Sequence, residues 1–308
     1  MKKLYSSLFI LSMIWGMSFL FIKLLVEDLG PWGVVFWRCL FGTITLFIIL
    51  FVFKKQELKR VRFKSLPWLK LFLVALFNNA LPFAFIAMSE MRISSSLASV
   101  INATTPIWTI VIGALFFFIP VKGRQWIGVS IGFLGILILL NLDFKSLINE
   151  NFIGAGTMLF ATFCYGLGAQ MAKRYLQELS IIIVSIITLF FSTMISLIFI
   201  LILNESVHLT SVFSTHTFLS LIGLGVFGSG FAYLFYYYMV KEGSAEFASL
   251  VTYIVPITAM LWGYLLLGEG ISPHMILGLL FVFTGVYLSS AKMAKKRSSF
   301  NTSIGSNH

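Results

Sequence analysis

The chain repeats itself at a fixed offset. The segment Ala98–Ile107, ASVINATTPI, returns 150 positions later as Ala248–Ile257, ASLVTYIVPI. The same offset, without a gap, relates several more pairs: Gly16 and Gly166, Lys23 and Lys173, Phe85 and Phe235, Gly113 and Gly263, Gly128 and Gly278, Gly135 and Gly285. Any fold for this chain must therefore accommodate two copies of one structural unit.

Each copy is made of apolar segments long enough to cross a bilayer. Hydrophobic residues make up 59% of the sequence and charged residues 11%, a composition typical of membrane proteins. Segments of about 17 to 25 residues occur at 4–26, 31–53, 66–88, 93–118, 124–141, 153–172, 180–203, 217–240, 244–267 and 273–291. We therefore predict an all-α membrane protein of ten transmembrane helices, with one five-helix repeat in 1–141 and a second in 153–291.

The basic residues predict how the chain is oriented. Lysines and arginines cluster between alternate spans, around Lys2, Lys54, Lys122, Lys173 and Lys295, as the positive-inside rule expects of cytoplasmic segments. Both termini are then cytoplasmic, residues 142–152 form an extracellular linker, and residues 292–308 form a disordered cytoplasmic tail. Because five is an odd number of spans, the two repeats are inverted. The net charge of +11 is thus explained by a multi-pass protein of the cell membrane, without nucleic acid as a partner.

Three motifs in this arrangement are similar to those of a known family. They are Trp15–Phe19 (WGMSF) in the first span, Arg38 in the second and Leu267–Glu269 (LGE) at the end of the ninth. With the repeat, they make the chain resemble the EamA family of the drug/metabolite transporter superfamily over about residues 5–291. The resemblance implies an inner-membrane carrier, often an exporter of amino acids or other metabolites, with a central cavity between its halves. The first copy departs from the pattern, with Phe117–Ile119 in place of Leu-Gly-Glu.

Depth within the spans identifies the first candidates for a substrate site. Counting about 1.5 Å of rise per residue places Trp15, Asn78 and Tyr165 near the middle of the bilayer. Inverted-repeat transporters bind their substrates at that level, between the repeats. We therefore predict that these residues bind substrate, with core packing as the alternative for Trp15.

A polar stripe adds further candidates. Ser99, Asn102 and Pro106 share one face of the fourth span with Ser95, and the ninth span repeats this face as Ala245, Ser249, Thr252 and Pro256. The stripes either line a cavity or let helices pack closely. We predict that Ser99, Asn102, Ser249 and Thr252 bind substrate and that Pro106 and Pro256 are hinges.

Arg38 is the one charge well inside a predicted span, where it costs at least about 2.5 to 3.5 kcal/mol. It should therefore face protein or water, to bind substrate, to gate or to hold a neighbouring helix, unless it snorkels to the headgroups. Ser229 and Tyr233 share a face of the eighth span and are further cavity candidates. Lys23 lies near the end of its span, where snorkelling is expected.

The sequence favours a carrier over other classes of membrane protein. It contains no pattern of a catalytic, metal or cofactor site, so we expect a small-molecule substrate moved by alternating access, most simply an exported amino acid or metabolite. The alternatives are a carrier of drugs or lipophilic cations, and a non-transporting scaffold or sensor. The glycine face of the fifth span, Gly128, Gly132 and Gly135, is explained by close helix packing in the first place, and it could equally be the contact between the two halves or between two protomers of a homodimer.

Energy coupling is restricted by the positions of the acids. No Asp or Glu falls in the middle of a predicted span, so a proton relay would have to use the substrate or the helix-end residues Glu90, Glu246 and Glu269. We therefore expect facilitated exchange or a weakly coupled carrier rather than strict proton antiport.

Overall fold

The computed structural model describes residues 2–60, 63–139, 150–205, 212, 214–242 and 251–290. Its α-helices are α1 (Lys2–Phe53), α2 (Lys55–Arg60), α3 (Trp68–Ala75), α4 (Leu81–Glu90), α5 (Ser95–Asn102), α6 (Thr105–Phe117), α7 (Gly123–Leu139), α8 (Glu150–Tyr175), α9 (Ile181–Leu203), α10 (Thr215–Leu221), α11 (Ala232–Glu242), α12 (Val251–Leu267) and α13 (Pro273–Ser290). A short 3₁₀ helix spans Phe63–Ser65, and π-helical segments, Leu76–Ala80 and Ile222–Phe231, join α3 to α4 and α10 to α11. Most of the predicted linker, the predicted tail and Ser249 lie outside the described residues.

The helices have the dimensions of membrane spans. In the described part of the chain, six helical stretches are long and apolar enough to cross a bilayer: Lys2–Phe53, Trp68–Glu90, Ser95–Phe117, Phe152–Tyr175, Ile181–Leu203 and Thr215–Tyr236. The helices α7, α12 and α13 are also apolar but shorter. A helix satisfies its own backbone polar groups, which is what the hydrocarbon region requires. The chain is therefore an all-helical, multi-pass membrane protein.

The long helix α1 consists of two arms. Gly30 has φ 67° and ψ 167° inside it, a left-handed conformation that glycine adopts without a Cβ clash, and Pro31 begins the second arm. The N–H groups of Trp32 and Gly33 donate to the Glu205 carboxylate at 3.0 and 3.1 Å. Burial raises the pKa of Glu205, while these two bonds lower it. The break matches the boundary between the first two predicted spans.

The fourth predicted span is interrupted, whereas the ninth is continuous at the matching place. Helix α5 ends at Asn102 and α6 begins at Thr105, with Pro106 in its first turn. The hydroxyls of Thr104 and Thr105 donate to the Ile101 and Asn102 carbonyls at 2.7 and 2.8 Å. Pro256 instead lies inside α12. The two predicted hinge prolines therefore differ, one at a break and one within a helix.

The contacts between helices follow the 150-residue offset. A Cβ at Gly135 of α7 would lie 2.9 Å from the Gly278 carbonyl of α13, and one at Gly285 would lie 2.5 Å from the Gly128 carbonyl. Gly135 and Gly285 are equivalent positions in the two copies, and so are Gly128 and Gly278. The two contacts are therefore related by the repeat. The predicted glycine face therefore joins two helices of one chain.

A second pair of contacts obeys the same relation. A Cβ at Gly16 of α1 would lie 2.9 Å from the Ala259 nitrogen of α12, and one at Gly166 of α8 would lie 2.9 Å from the Thr109 nitrogen of α6. In sequence terms, the first helix of each copy packs against the fourth helix of the other. Residues of both copies therefore meet in the middle of the bundle.

Candidate substrate-binding cavity

A cavity of about 270 Å³ lies where the two copies meet. Nine of the ten residues predicted to bind substrate border it: Trp15, Arg38, Asn78, Ser99, Asn102, Tyr165, Ser229, Tyr233 and Thr252. Pro256 also borders it, and the other lining residues are Ser18, Phe19, Ile22, Phe83, Ile86, Ala103, Thr105, Gly228 and Val255. The tenth, Ser249, lies outside the described residues, and Pro106 is not among the lining residues.

Arg38 supplies the charge of this cavity. Its side chain is 8% exposed, its Nε donates to Ser229 Oγ at 3.0 Å, and its guanidinium carbon lies 3.8 Å from the centre of the Phe83 ring. Its two terminal nitrogens have no hydrogen-bond partner among the described residues, and no described lining residue is acidic. The guanidinium therefore keeps donors for a group that enters the cavity.

Glycines bring Arg38 and Ser229 together. A Cβ at Gly42, one turn after Arg38, would lie 3.0 Å from the Ser229 Cβ, and one at Gly225 would lie 2.6 Å from the Phe41 Cβ. The second arm of α1 can therefore lie directly against the π-helical segment that carries Ser229. This close approach places the guanidinium beside the serine hydroxyl.

Both π-helical segments contribute to the cavity wall, at equivalent places in the two copies. Asn78 lies in Leu76–Ala80, and its counterpart Gly228 lies in Ile222–Phe231. The wider turn is marked by bonds to the fifth preceding residue, from the Leu81 nitrogen to the Leu76 carbonyl and from the Ala232 nitrogen to the Phe227 carbonyl. Such segments are frequent at functional sites.

The π-helical segments were not predicted from the sequence, although the sequence carries a signal for the first. Pro82 stands four residues after Asn78 and has no N–H, so it cannot make the usual α-helical bond to the Asn78 carbonyl. In the second segment the local signal is the group of glycines at Gly223, Gly225, Gly228 and Gly230.

Aromatic side chains form the apolar walls. The Trp15 indole N–H donates to the Gly228 carbonyl at 3.2 Å, and its ring lies 6.0 Å from that of Tyr236. Tyr165 meets Phe83 edge to face at 6.3 Å, and Tyr233 also borders the cavity. Because the polar atom of Trp15 is already bonded, that residue offers the cavity its ring.

Amide groups supply uncharged polar sites. The Oδ1 of Asn102 is buried without a hydrogen-bond partner in the described part of the chain. The Ser99 hydroxyl instead donates to the Ser96 carbonyl at 2.7 Å, and the Thr105 hydroxyl donates to the main chain of Asn102. A buried amide oxygen without a donor costs about 1 to 3 kcal/mol. Asn102 is therefore a place where a bound molecule would gain a hydrogen bond.

Glu269 joins the two copies beside the cavity. Its carboxylate accepts from the Ser95 and Ser96 nitrogens at 2.7 and 2.9 Å, from the Ser95 hydroxyl at 3.1 Å and from the Ser96 hydroxyl. These groups lie at the N-terminus of α5, where a negative charge is favoured. Glu269 therefore holds the helix that presents Ser99 and Asn102.

The equivalent turn in the first copy has the same backbone conformation but no acidic residue. Phe118 and Gly268 occupy matching left-handed positions, with φ 52° and 66°. The Ile119 nitrogen donates to the Gly113 carbonyl at 2.9 Å, and the Glu269 nitrogen donates to the Gly263 carbonyl at 3.1 Å. The departure from Leu-Gly-Glu in the first copy therefore changes the side chains but not the turn.

The two ends of the bundle differ around the cavity. At one end, called the Glu90 end, lie Lys23, Glu90, Ser95, Glu205 and Glu269. The Lys23 ammonium donates to the Glu90 main-chain carbonyl and, at 3.3 Å, to the Ile93 carbonyl. The expectation that Lys23 snorkels was therefore wrong, because two main-chain carbonyls satisfy its ammonium inside the protein.

The opposite end, called the Lys54 end, holds Lys54, Glu57, Lys70, Arg174 and Ser180. A second cavity of about 230 Å³ opens here, and Tyr233 borders both cavities. The Ser180 hydroxyl donates to Glu57, which also pairs with Lys54 at 3.2 Å. Tyr233 therefore separates the central cavity from the space at the Lys54 end.

Comparison with known proteins assigns this architecture to a family. The model of the EamA-like transporter family matches the chain twice, at residues 3–141 and 152–291. The chain belongs to the EamA-like transporter family. The chain is thus a membrane transporter, and the family resemblance noted in its sequence is confirmed.

Individual proteins similar to this EamA-like transporter align over almost its whole length. An uncharacterized transporter of Archaeoglobus fulgidus is 27% identical over 89% of this chain and 94% of its own. The uncharacterized inner membrane transporter YedA of Escherichia coli K12 is 27% identical over 94% of this chain and 93% of its own. A solved crystal structure with 12% identity superposes with a TM-score of 0.63 over 94% of this chain and 97% of its own, which shows a shared fold.

Proposed function

We propose that this EamA-like chain is a secondary carrier that exports amino acids or other small carboxylate-bearing metabolites by alternating access. The observation that carries the proposal is Arg38, a buried cation at the cavity with unbonded terminal nitrogens. A guanidinium binds a carboxylate through two parallel hydrogen bonds. The cavity adds amides at Asn78 and Asn102 and the ring of Trp15, which suit the polar and apolar parts of an amino acid.

The same charge argues against the two alternative functions. A carrier of lipophilic cations would need an acid or an uncharged aromatic cage, whereas the described lining residues contain a cation and no acid. A scaffold or sensor would not need an uncompensated cation and an unbonded amide oxygen at its centre, because both groups are costly without a ligand.

The proposed architecture is ten spans in two inverted five-helix repeats. The two arms of α1 count as two spans, and the paired contacts of Gly135 with Gly285 and of Gly16 with Gly166 support the relation between the halves. Pro106, at the break before α6, and Pro256, inside α12, are the proposed hinges. Residues 142–152 are the proposed linker and 292–308 the proposed tail.

The proposed location is the cell membrane, with the Lys54 end and both termini in the cytoplasm. Lys64 and Arg92 are exposed at opposite ends, and both native cysteines are buried. We expect an impermeant maleimide to label Arg92→Cys but not Lys64→Cys in intact cells. Labelling of Lys64→Cys alone would reverse the orientation, and labelling of both at equal rates would contradict a fixed topology.

Ligand screening tests the cavity directly. Thermal unfolding of the purified protein is measured with amino acids, other small carboxylates, nucleosides and quaternary ammonium compounds, because a ligand at about 100 times its Kd stabilises by about 2.7 kcal/mol. Asn102→Leu and Thr252→Leu are expected to weaken binding of the responding carboxylate roughly 5- to 30-fold each, the loss of about one hydrogen bond.

Thr284→Leu is the matched control, because the Thr284 side chain is exposed on α13 and, within the described part of the chain, its hydroxyl bonds only to the Leu280 carbonyl. It is expected to bind like the unaltered protein. Unchanged affinity in both Asn102→Leu and Thr252→Leu would remove these stripes from the site. A response to quaternary ammonium compounds alone would favour the cation carrier.

A further inference from the structure

Glu90 is a buried acid with no hydrogen-bond donor. It is the last residue of α4, it is 0% exposed, and neither of its carboxyl oxygens has a hydrogen-bond partner among the described residues. An isolated ionised carboxylate in such a place costs far more than a neutral carboxylic acid. The burial therefore requires either a proton on Glu90 or a rearrangement that provides donors.

The charged groups acting on Glu90 are Lys23, Glu269 and Arg38. Lys23 is the nearest source of compensation, yet its ammonium bonds to the main-chain carbonyls of Glu90 and Ile93 and makes no ion pair with the Glu90 carboxylate. Glu269 contributes a second negative charge. Among the described side chains of helix α8, which packs along α4, none adds a charge to this set. In this conformation Lys23 lies near Glu90 but forms no ion pair with its carboxylate.

The two neighbouring acids, unlike Glu90, already accept hydrogen bonds. Glu269 accepts four hydrogen bonds from the start of α5, and Glu205 accepts two from the start of the second arm of α1. Each of these two carboxylates therefore has hydrogen-bond donors, which Glu90 lacks. Glu246, the other acid considered from the sequence, lies outside the described residues.

We propose that Glu90 is the proton-binding site through which transport is coupled to a pH gradient, an inference that rests on the proposed carrier function. One O–H bond forms when the Glu90 carboxylate takes a proton from the solution on one side of the membrane. The same bond breaks when the proton leaves to the other side, so no other bond and no electron is involved. This differs from the facilitated exchange expected from the sequence, because burial without donors was not visible there.

The geometry links this proton to closure of the Glu90 end. With Glu90 neutral, Lys23 holds the turn after α4 through the Glu90 and Ile93 carbonyls. With Glu90 ionised, the carboxylate attracts the Lys23 ammonium away from these carbonyls, and repulsion between Glu90 and Glu269 opposes closure. Loss of the proton therefore loosens this end.

The path from Glu90 to the cavity is short. Ile86 lies one turn before Glu90 on α4, Ile22 directly precedes Lys23, and both line the cavity. A side-chain rearrangement at this level would bring Glu90 into contact with the space that holds the substrate. The proton and the substrate can then be exchanged by the same opening.

The first test needs no substrate. Infrared difference spectra of the purified, full-length protein, recorded against Glu90→Gln across a neutral pH range, should contain the carbonyl stretch of one protonated carboxylic acid. Lys23→Met should keep that band to higher pH, because the cation that favours the carboxylate is gone. Glu205→Gln, at the same end, should leave it unchanged. Absence of the band, or its persistence in Glu90→Gln, would overturn the proposal.

The second test uses proteoliposomes and a mixture of radiolabelled amino acids. Imposed pH gradients of either sign should change accumulation by the unaltered protein and by Glu205→Gln, but not by Glu90→Gln. A gradient effect that survives in Glu90→Gln, or is missing from the unaltered protein, would contradict coupling through Glu90. If no amino acid is exchanged at all, the proposed substrate class fails, while the infrared result still decides whether Glu90 binds a proton.

Discussion

Arg38→Met is expected to weaken binding of the transported carboxylate by about 100-fold or more. Removing one partner of a buried, hydrogen-bonded charge pair costs roughly 2 to 5 kcal/mol, and each 1.4 kcal/mol is a factor of about ten. Methionine keeps a flexible apolar side chain against the Phe83 ring, so packing is preserved. The measurement is the ligand-induced rise in melting temperature, repeated over ligand concentration.

Two comparisons separate charge from structure. Arg38→Lys keeps the charge but not the planar pair of donors, so it should retain a fraction of the affinity. Because the free protein no longer holds an uncompensated buried cation, Arg38→Met without ligand should melt no lower than the unaltered protein. Normal carboxylate binding by Arg38→Met would show that the residue only anchors its helix.

Glu269→Ala is expected to destabilise the protein by roughly 2 to 4 kcal/mol, because it removes the acceptor of four hydrogen bonds at the start of α5. The melting temperature of the ligand-free protein measures this loss. Carboxylate binding should weaken as well, since α5 carries Ser99 and Asn102.

Two further variants serve as comparisons for Glu269→Ala. Glu269→Gln keeps an acceptor oxygen but not the charge, so it should fall between Glu269→Ala and the unaltered protein. Glu178→Ala is the matched control, because Glu178 is exposed in the turn after α8 and should leave the melting temperature unchanged. If Glu269→Ala melts at the same temperature as Glu178→Ala, these hydrogen bonds do not hold α5 in place.

The membrane-spanning pattern and the location of the cavity could be predicted because they follow from local and periodic features. Apolar length indicated membrane-spanning helices, and the helical rise predicted one depth for Trp15, Asn78 and Tyr165, which all line the central cavity. The 150-residue offset added the paired stripes that contain Asn102 and Thr252. These predictions require only the known rise per residue of an α-helix and the internal repeat, which can be read from a single sequence.

The remaining features depend on contacts between segments distant in the sequence. Lys23 was expected at the headgroups, but the Ile93 carbonyl lies within its reach only once α1 and the turn after α4 are packed. Glu269 was considered as a coupling acid, yet in the fold it caps α5. Glu90 has no comparable donor. Depth along a single helix could not distinguish these two acids, because both lie at helix ends.

Exchange in proteoliposomes tests the central claim most directly. Purified protein is reconstituted into vesicles loaded with unlabelled amino acids, without a pH gradient, and uptake of the radiolabelled amino acids is followed for the unaltered protein, Arg38→Met and Thr284→Leu. We predict counterflow of at least one amino acid by the unaltered protein and by Thr284→Leu, and its loss in Arg38→Met. Equal counterflow in Arg38→Met, or exchange of quaternary ammonium ions with no exchange of amino acids, would contradict a carboxylate carrier built around Arg38.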